Sequence, residues 1–206
     1  MATWADFKAQ IRKELEEVTS GIWDDSQLLW WTNEAAYDIA IRTKPTRDWQ
    51  YTTTVVGQST YTLPVGSLEV IAVYCGLDAN DDRKMLTRAE FRDVFNVDHD
   101  NGTPTHYIID DDAIRLVPAP DKQYELSFLR YALPAQVAAS TDDMPFGSHY
   151  NGAISYYVKA KAYEQVLDWA SSDALLGRYN MEVEKIQMQE TQEANSVYHG
   201  SVASVY

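Results

Sequence analysis

The chain of 206 residues contains one cysteine, Cys75, and four scattered histidines. A single cysteine forms no internal disulfide, and these histidines offer no zinc-ligand spacing. Such cysteine usage fits assembly in a reducing cytoplasm. No apolar run approaches the roughly 18 residues needed to cross a bilayer. The stretch Met1–Lys8 lacks a basic region followed by an apolar run, so no signal peptide is expected. Bases are scarce: 17 Lys and Arg stand against 31 Asp and Glu, for a net charge of −14. An acidic body gains no affinity from releasing phosphate counterions and is repelled by anionic headgroups. That argues against nucleic-acid and membrane-surface binding.

Catalytic signatures are missing as well. There is no Gly-rich phosphate loop, no Gly-x-Ser-x-Gly elbow and no His-Glu-x-x-His pair. The segment Asp98-His-Asp-Asn-Gly102 opens like a calcium loop, but an EF-hand needs Gly and Glu where Thr103 and Ile109 stand. It reads as a polar turn. Cys75 ends the apolar run Leu68-Glu-Val-Ile-Ala-Val-Tyr-Cys75 and reads as a buried strand residue, not a nucleophile. With so many carboxylates, some pair always sits at glycosidase separation, so that criterion carries no information. No catalytic residue, cofactor or metal is expected, and the chain is read as no enzyme.

What the chain does have is length for one domain carrying an insertion. At this size it buries roughly 70% of its unfolded surface and needs no metal or disulfide to fold. Its ends read as helix and its middle as strand. A helix is predicted over Thr3–Val18, with Thr3 and Asp6 as a capping box, Phe7, Ile11, Leu15 and Val18 as its stripe, and Gly21 stopping it. A second starts at Asp24 with Gln27 and runs to Thr43 before Pro45. In it Leu28, Trp31, Ala35 and Ile39 share one face, while Trp30, Glu34, Tyr37 and Ile41 share another. An isolated helix pair does not need two aromatic faces.

Residues 49–131 read as an antiparallel meander or small sandwich. Trp49–Val56 and Thr60–Leu63 form a hairpin around Gly57-Gln-Ser, and Ser67–Tyr74 is a strand. Thr87-Arg-Ala-Glu90 opens a short helix to Asn96. Strands follow at His106–Asp110, Ala113–Val117 and Gln123–Tyr131, the first two joined through Asp110-Asp111-Asp112. A long helix is expected over Ser148–Ala170, broken by Ser171-Ser172-Asp173, which caps a last helix from Asp173 to Asn195. From Ala194 to Tyr206 there is no Asp, Glu, Lys or Arg. The alternation of Ser201 to Tyr206 reads as an extended strip that docks on something. The predicted fold class is α+β: a helical bundle of N- and C-terminal helices with an inserted antiparallel β region. Its segments are a helical hairpin at 1–48, the β insertion at 49–131, completing helices at 132–195 and a docking tail at 196–206.

Three stretches resemble the connector (adaptor) proteins of tailed phages, above all the head-to-tail connectors of short-tailed phages. Trp31, Asn33 and Ala35 resemble their Trp-x-Asn-x-Ala helix. Gly57-Gln-Ser-Thr-Tyr-Thr-Leu-Pro64 comes next, before an apolar strand. The third stretch is Pro104-Thr-His-Tyr107, Ile114-Arg-Leu-Val-Pro-Ala-Pro120, Tyr124-Glu-Leu126, Tyr131 and Pro134, followed by two helices and a tail. The short helix at 87–96 departs from the pattern.

The resemblance implies a structural virion protein of the phage neck. It would be a self-assembled ring of twelve copies between portal protein and tail or nozzle proteins, assembled in the host cytoplasm. DNA would pass its lumen without specific binding. The expected inter-subunit face is Trp30, Tyr37 and Ile41. The expected portal-docking anchors are Tyr198, Val202, Val205 and Tyr206, in an extended strand or hook that adds to the portal by main-chain pairing. The residues by themselves leave open a second class, a monomeric carbohydrate- or protein-binding module using aromatics of the β region, since six Trp and 14 Tyr could line a platform.

Overall fold

The structure, a computed structural model, describes residues 2–17, 21–77, 83–90, 92 and 100–200, with side chains described as far as Gln192. The chain is α+β and divides into two units, residues 1–45 with 133–206 and residues 46–132.

The first unit is helical: α1 (Trp4–Glu14), α2 (Asp25–Thr43), α3 (Asn151–Gln165, entered through a 3-10 turn at Ser148–Tyr150) and α4 (Trp169–Gly200). Helix α1 starts where its capping box lies, the Asp6 N–H donating to Thr3 Oγ1 and the Thr3 N–H to the Asp6 carboxylate, both at 3.2 Å. It ends four residues short of Val18, which lies outside the described residues. Glu16 is left-handed at φ 57°. This break lets Glu17 fold back onto Arg12 at 2.8 Å, a pair five apart that would not share a helix face. The Glu17 carboxylate also accepts the N–H groups of Gly21, Ile22 and Trp23. Burial alone would raise this carboxyl, but those N–H donors and the Arg12 guanidinium hold it below its ordinary value. Arg12 goes on to the Trp23 carbonyl at 3.0 Å and to Asp25 at 2.7 Å, so one buried cation fastens the α1–α2 connection.

Helix α2 opens on the Asp24–Gln27 box and stops at Lys44, left-handed at φ 47°, before Pro45. Its Leu28, Thr32, Ala35, Ala36, Ile39 and Ala40 are buried. The small Ala35, Ala36 and Ala40, with Ala153, Ala160 and Ala162 of α3, let helices approach closely. The break between α3 and α4 comes earlier than expected, at Leu167 (φ 63°), and Asp168 rather than Asp173 caps α4 by accepting the Ser171 N–H at 3.2 Å. The end of α4 comes later. Residues 196–200 are helical, not extended, because nothing before Gly200 interrupts propagation of a formed helix.

The second unit is two four-stranded sheets. In one the order is β1 (Arg47–Thr53), β8 (Glu125–Ala132), β3 (Ser67–Gly76), β4 (Lys84–Met85). In the other it is β2 (Thr60–Thr62), β7 (Ala113–Val117), β6 (His106–Asp110), β5 (Thr87–Arg88). All described pairs are antiparallel except β5–β6. Val73, Leu126 and Phe128 of the first sheet meet Tyr61, Tyr107, Ile114 and Leu116 of the second in one core. Cys75 lies in it, its thiol pushed up to about 11 by burial.

Two expectations fail in this unit. The strands on either side of Gly57 do not pair as a hairpin; β1 joins β8 and β2 joins β7. Buried Thr54 exchanges main-chain and hydroxyl bonds with Tyr124 at 2.8 Å each, and the Tyr61 hydroxyl ties Val55 to Gln58, so the chain crosses from one sheet to the other at this turn. Thr87 opens no helix. The Thr87 N–H goes to the Thr105 carbonyl at 2.9 Å and the Ala89 N–H to Tyr107 at 2.8 Å, beside buried Leu86, which makes a parallel edge strand. Arg92 is helical, so what fails is the start of the expected helix at Thr87; residue 91 and residues 93–96 lie outside the described residues.

Candidate functional site

Helix α2 is held on three sides. Its back is buried. On one flank the Asn33 amide makes a pair of 2.9 Å bonds with the N–H and carbonyl of Val137. On the other, Asp38 accepts the Tyr179 hydroxyl and Arg42 reaches Asn180 at 3.0 Å. Burial and then the neighbouring Asp38 push Tyr179 well above its ordinary value, and burial with the charge of Glu34 does the same to Tyr157. Asn33 fixes how the helix is turned, since a two-sided amide tolerates no rotation.

The fourth side is open. Trp30, Tyr37 and Ile41 are 69%, 51% and 46% exposed, with exposed Glu34 between them. Positions 30, 34, 37 and 41 lie within about 60° of one another around a 3.6-residue helix. A rigid apolar stripe thus faces solvent, opposite residues that are almost wholly covered. The anchors expected near the C-terminus are not brought to it: Tyr198 lies on the backbone of α4, while Val202, Val205 and Tyr206 lie outside the described residues.

The aromatics of the β region, which the sequence offers without naming positions, form a second surface. On the outer face of the sheet β1-β8-β3-β4, Tyr51, Ser127, Tyr74 and Met85 align as one row, with Trp49, Leu129 and Ala72 beside it. Trp49 and Tyr51 stack at 6.4 Å, Trp49 and Tyr74 lie 5.6 Å apart, and Ser127 is fully covered beneath them. Alternation of aromatics at 49 and 51 was the available signal.

Nothing in either surface assembles a nucleophile with a base. Among the described residues no group of His, Cys, Asp and Glu could hold a metal, and no helix is long and apolar enough to cross a membrane. An open cleft of about 520 Å³ beside Leu63, Leu68, Arg88, Ile109 and Asp112 holds no His or Cys.

Among solved structures, a chain from the neck of an empty GTA particle computed with C6 symmetry is 16% identical, with a TM-score of 0.28, over 78% of this chain and 77% of that one. A chain from the neck of a native GTA particle computed with C12 symmetry is 16% identical, with a TM-score of 0.25, over 76% and 75%. No curated protein sequence matches. The family model for SU10 adaptor protein matches residues 2–203.

Proposed function

The chain belongs to the SU10 adaptor protein family, and on that premise we propose that it is a head-to-tail connector subunit of a tailed-phage neck. Adaptors of this family are structural and form no enzyme class. In this reading, copies close into a ring of twelve between portal and tail, and DNA passes through.

The observation that carries the ring is the open stripe of α2. Three large apolar side chains on a helix pinned at Asn33 and Asp38 are costly in water, and covering what is still exposed of each gains on the order of 1 kcal/mol. Rings reuse one such contact at every seam, so a modest gain per copy closes the whole. Acidic side chains around the lumen keep DNA from adhering during packaging and ejection. The charge-free segment beginning at Ala194 supplies the portal contact, with Tyr198, Val202, Val205 and Tyr206 as anchors.

Trp30→Arg tests the seam. Mixed with the portal protein of its phage and weighed by light scattering, the variant is expected to stay below ring mass. Full rings would put the seam elsewhere. Deleting residues 196–206 is expected to leave circular dichroism almost unchanged and to abolish portal pull-down; retained pull-down removes the docking role.

A further inference from the structure

A closed ring is heterologous: the patch on one copy needs a different, complementary patch on the next. Granting the ring reading above, we propose that the α2 stripe of each copy lies on the outer face of the β1-β8-β3-β4 sheet of its neighbour. In that contact Trp30 and Tyr37 meet the Trp49, Tyr51 and Tyr74 rings, and Glu34 meets Arg47.

Three properties of the sheet face fit it to this occupant. Its composition is that of a protein contact centre: Trp, Tyr, Met and Arg, the types that carry most interface energy, with Trp49, Tyr51 and Met85 42%, 56% and 64% exposed. Its dimensions match. Residues 30–41 rise about 16 Å along the helix, and four strands span about 14 Å.

The charges give the contact a direction. The stripe has one formal charge, the exposed Glu34, whose carboxylate accepts the Tyr157 hydroxyl of its own chain and has further acceptor positions for a neighbour. On the sheet, Glu69 and Glu125 lie on the two inner strands, with Glu125 answered by Arg83 at 2.6 Å. Exposed Arg47 stands on the outer strand, its guanidinium 5.6 Å from the Tyr131 ring. A carboxylate arriving from a neighbour is drawn to the β1 side, where Arg47 is exposed.

Charge exchange tests the pairing. With or without portal, the concentration at which light scattering reports ring mass should rise about tenfold for Glu34→Arg and for Arg47→Glu. The double variant should return close to the parent. A mixture of Tyr37→Cys and Tyr51→Cys copies, gently oxidised after assembly, should give a disulfide-linked dimer that neither gives alone; buried Cys75 stays out of it. If the parent never assembles, the ring reading falls. If the parent assembles and Trp30→Arg stops it, while Arg47→Glu does nothing and no mixed disulfide forms, the ring stands and this pairing falls. Glycan binding lost on Trp49→Ala with assembly intact would also overturn it.

Discussion

The helical unit and the β unit stabilise their backbone ends by different means, and their ionisable groups record the difference. Among the described residues, Asp6, Glu14, Glu17, Asp24, Asp25, Asp142 and Asp168 of the helical unit are all held below ordinary carboxylate values. In the β unit Asp48 is held down too, through Gln50 and Arg130. Helices leave N–H groups orphaned at their starts and connections, and this chain answers them with carboxylates: Asp6 by the Thr3 hydroxyl and N–H, Asp142 by Ala139 and Ala138, Asp168 by Ser171. Strands in a ladder satisfy one another, and there an apolar core does the rest. One unit is therefore tied to pH and the other to packing.

Acid should break the comparison most widely. A carboxyl with a lowered folded value adds stability above its unfolded value, 3.8 for Asp and 4.5 for Glu, and loses it as pH falls through the folded one. Titration below pH 4.5 should melt the helical signal at 222 nm before the β3 and β8 amides of the sheet lose their protection from hydrogen exchange. Simultaneous loss would show that the units share one transition.

Next in size, Phe128→Ala should cost about 4 kcal/mol in urea unfolding, with a midpoint shift that hardly depends on pH. Asp24→Ala should lower the urea midpoint at pH 7 and lower it less as pH falls below 3.8, the unfolded value, because the lowered folded value makes its contribution fade there. Smallest of all, Trp30→Ala should change the stability of the unassembled chain by less than about 0.5 kcal/mol, whereas Leu28→Ala on the opposite face costs several times more.

Legibility in the sequence divides along the same line. Helix starts were readable because a capping box is a local object: Thr3 with Asp6, and Asp24 with Gln27. The two faces of α2 follow from period alone. Helix ends were harder, since Glu16 and Leu167 are left-handed without being glycine, and the reason for the first is a clasp between Arg12, Glu17 and Trp23. Strand partners were hardest. Gly57 does turn the chain, at φ 77°, but Thr53 pairs with Glu125, far along the sequence, and no local pattern names that mate. Which β-region aromatics share a face is illegible for the same reason, that face being assembled from β1, β3 and β4 only after pairing. Asn33 was visible within a motif, but its grip on Val137 was not.

Helix α4 sets a phase as well as a reach. Its last described buried side chain is Ile186, and the backbone stays helical to Gly200. Across those turns each residue advances about 1.5 Å and rotates about 100°. Removing one residue there would shorten the arm trivially yet swing whatever follows Gly200 more than a quarter-turn around the axis. Removing seven would restore the bearing and withdraw the arm by about 10 Å, so angle and distance could be varied separately.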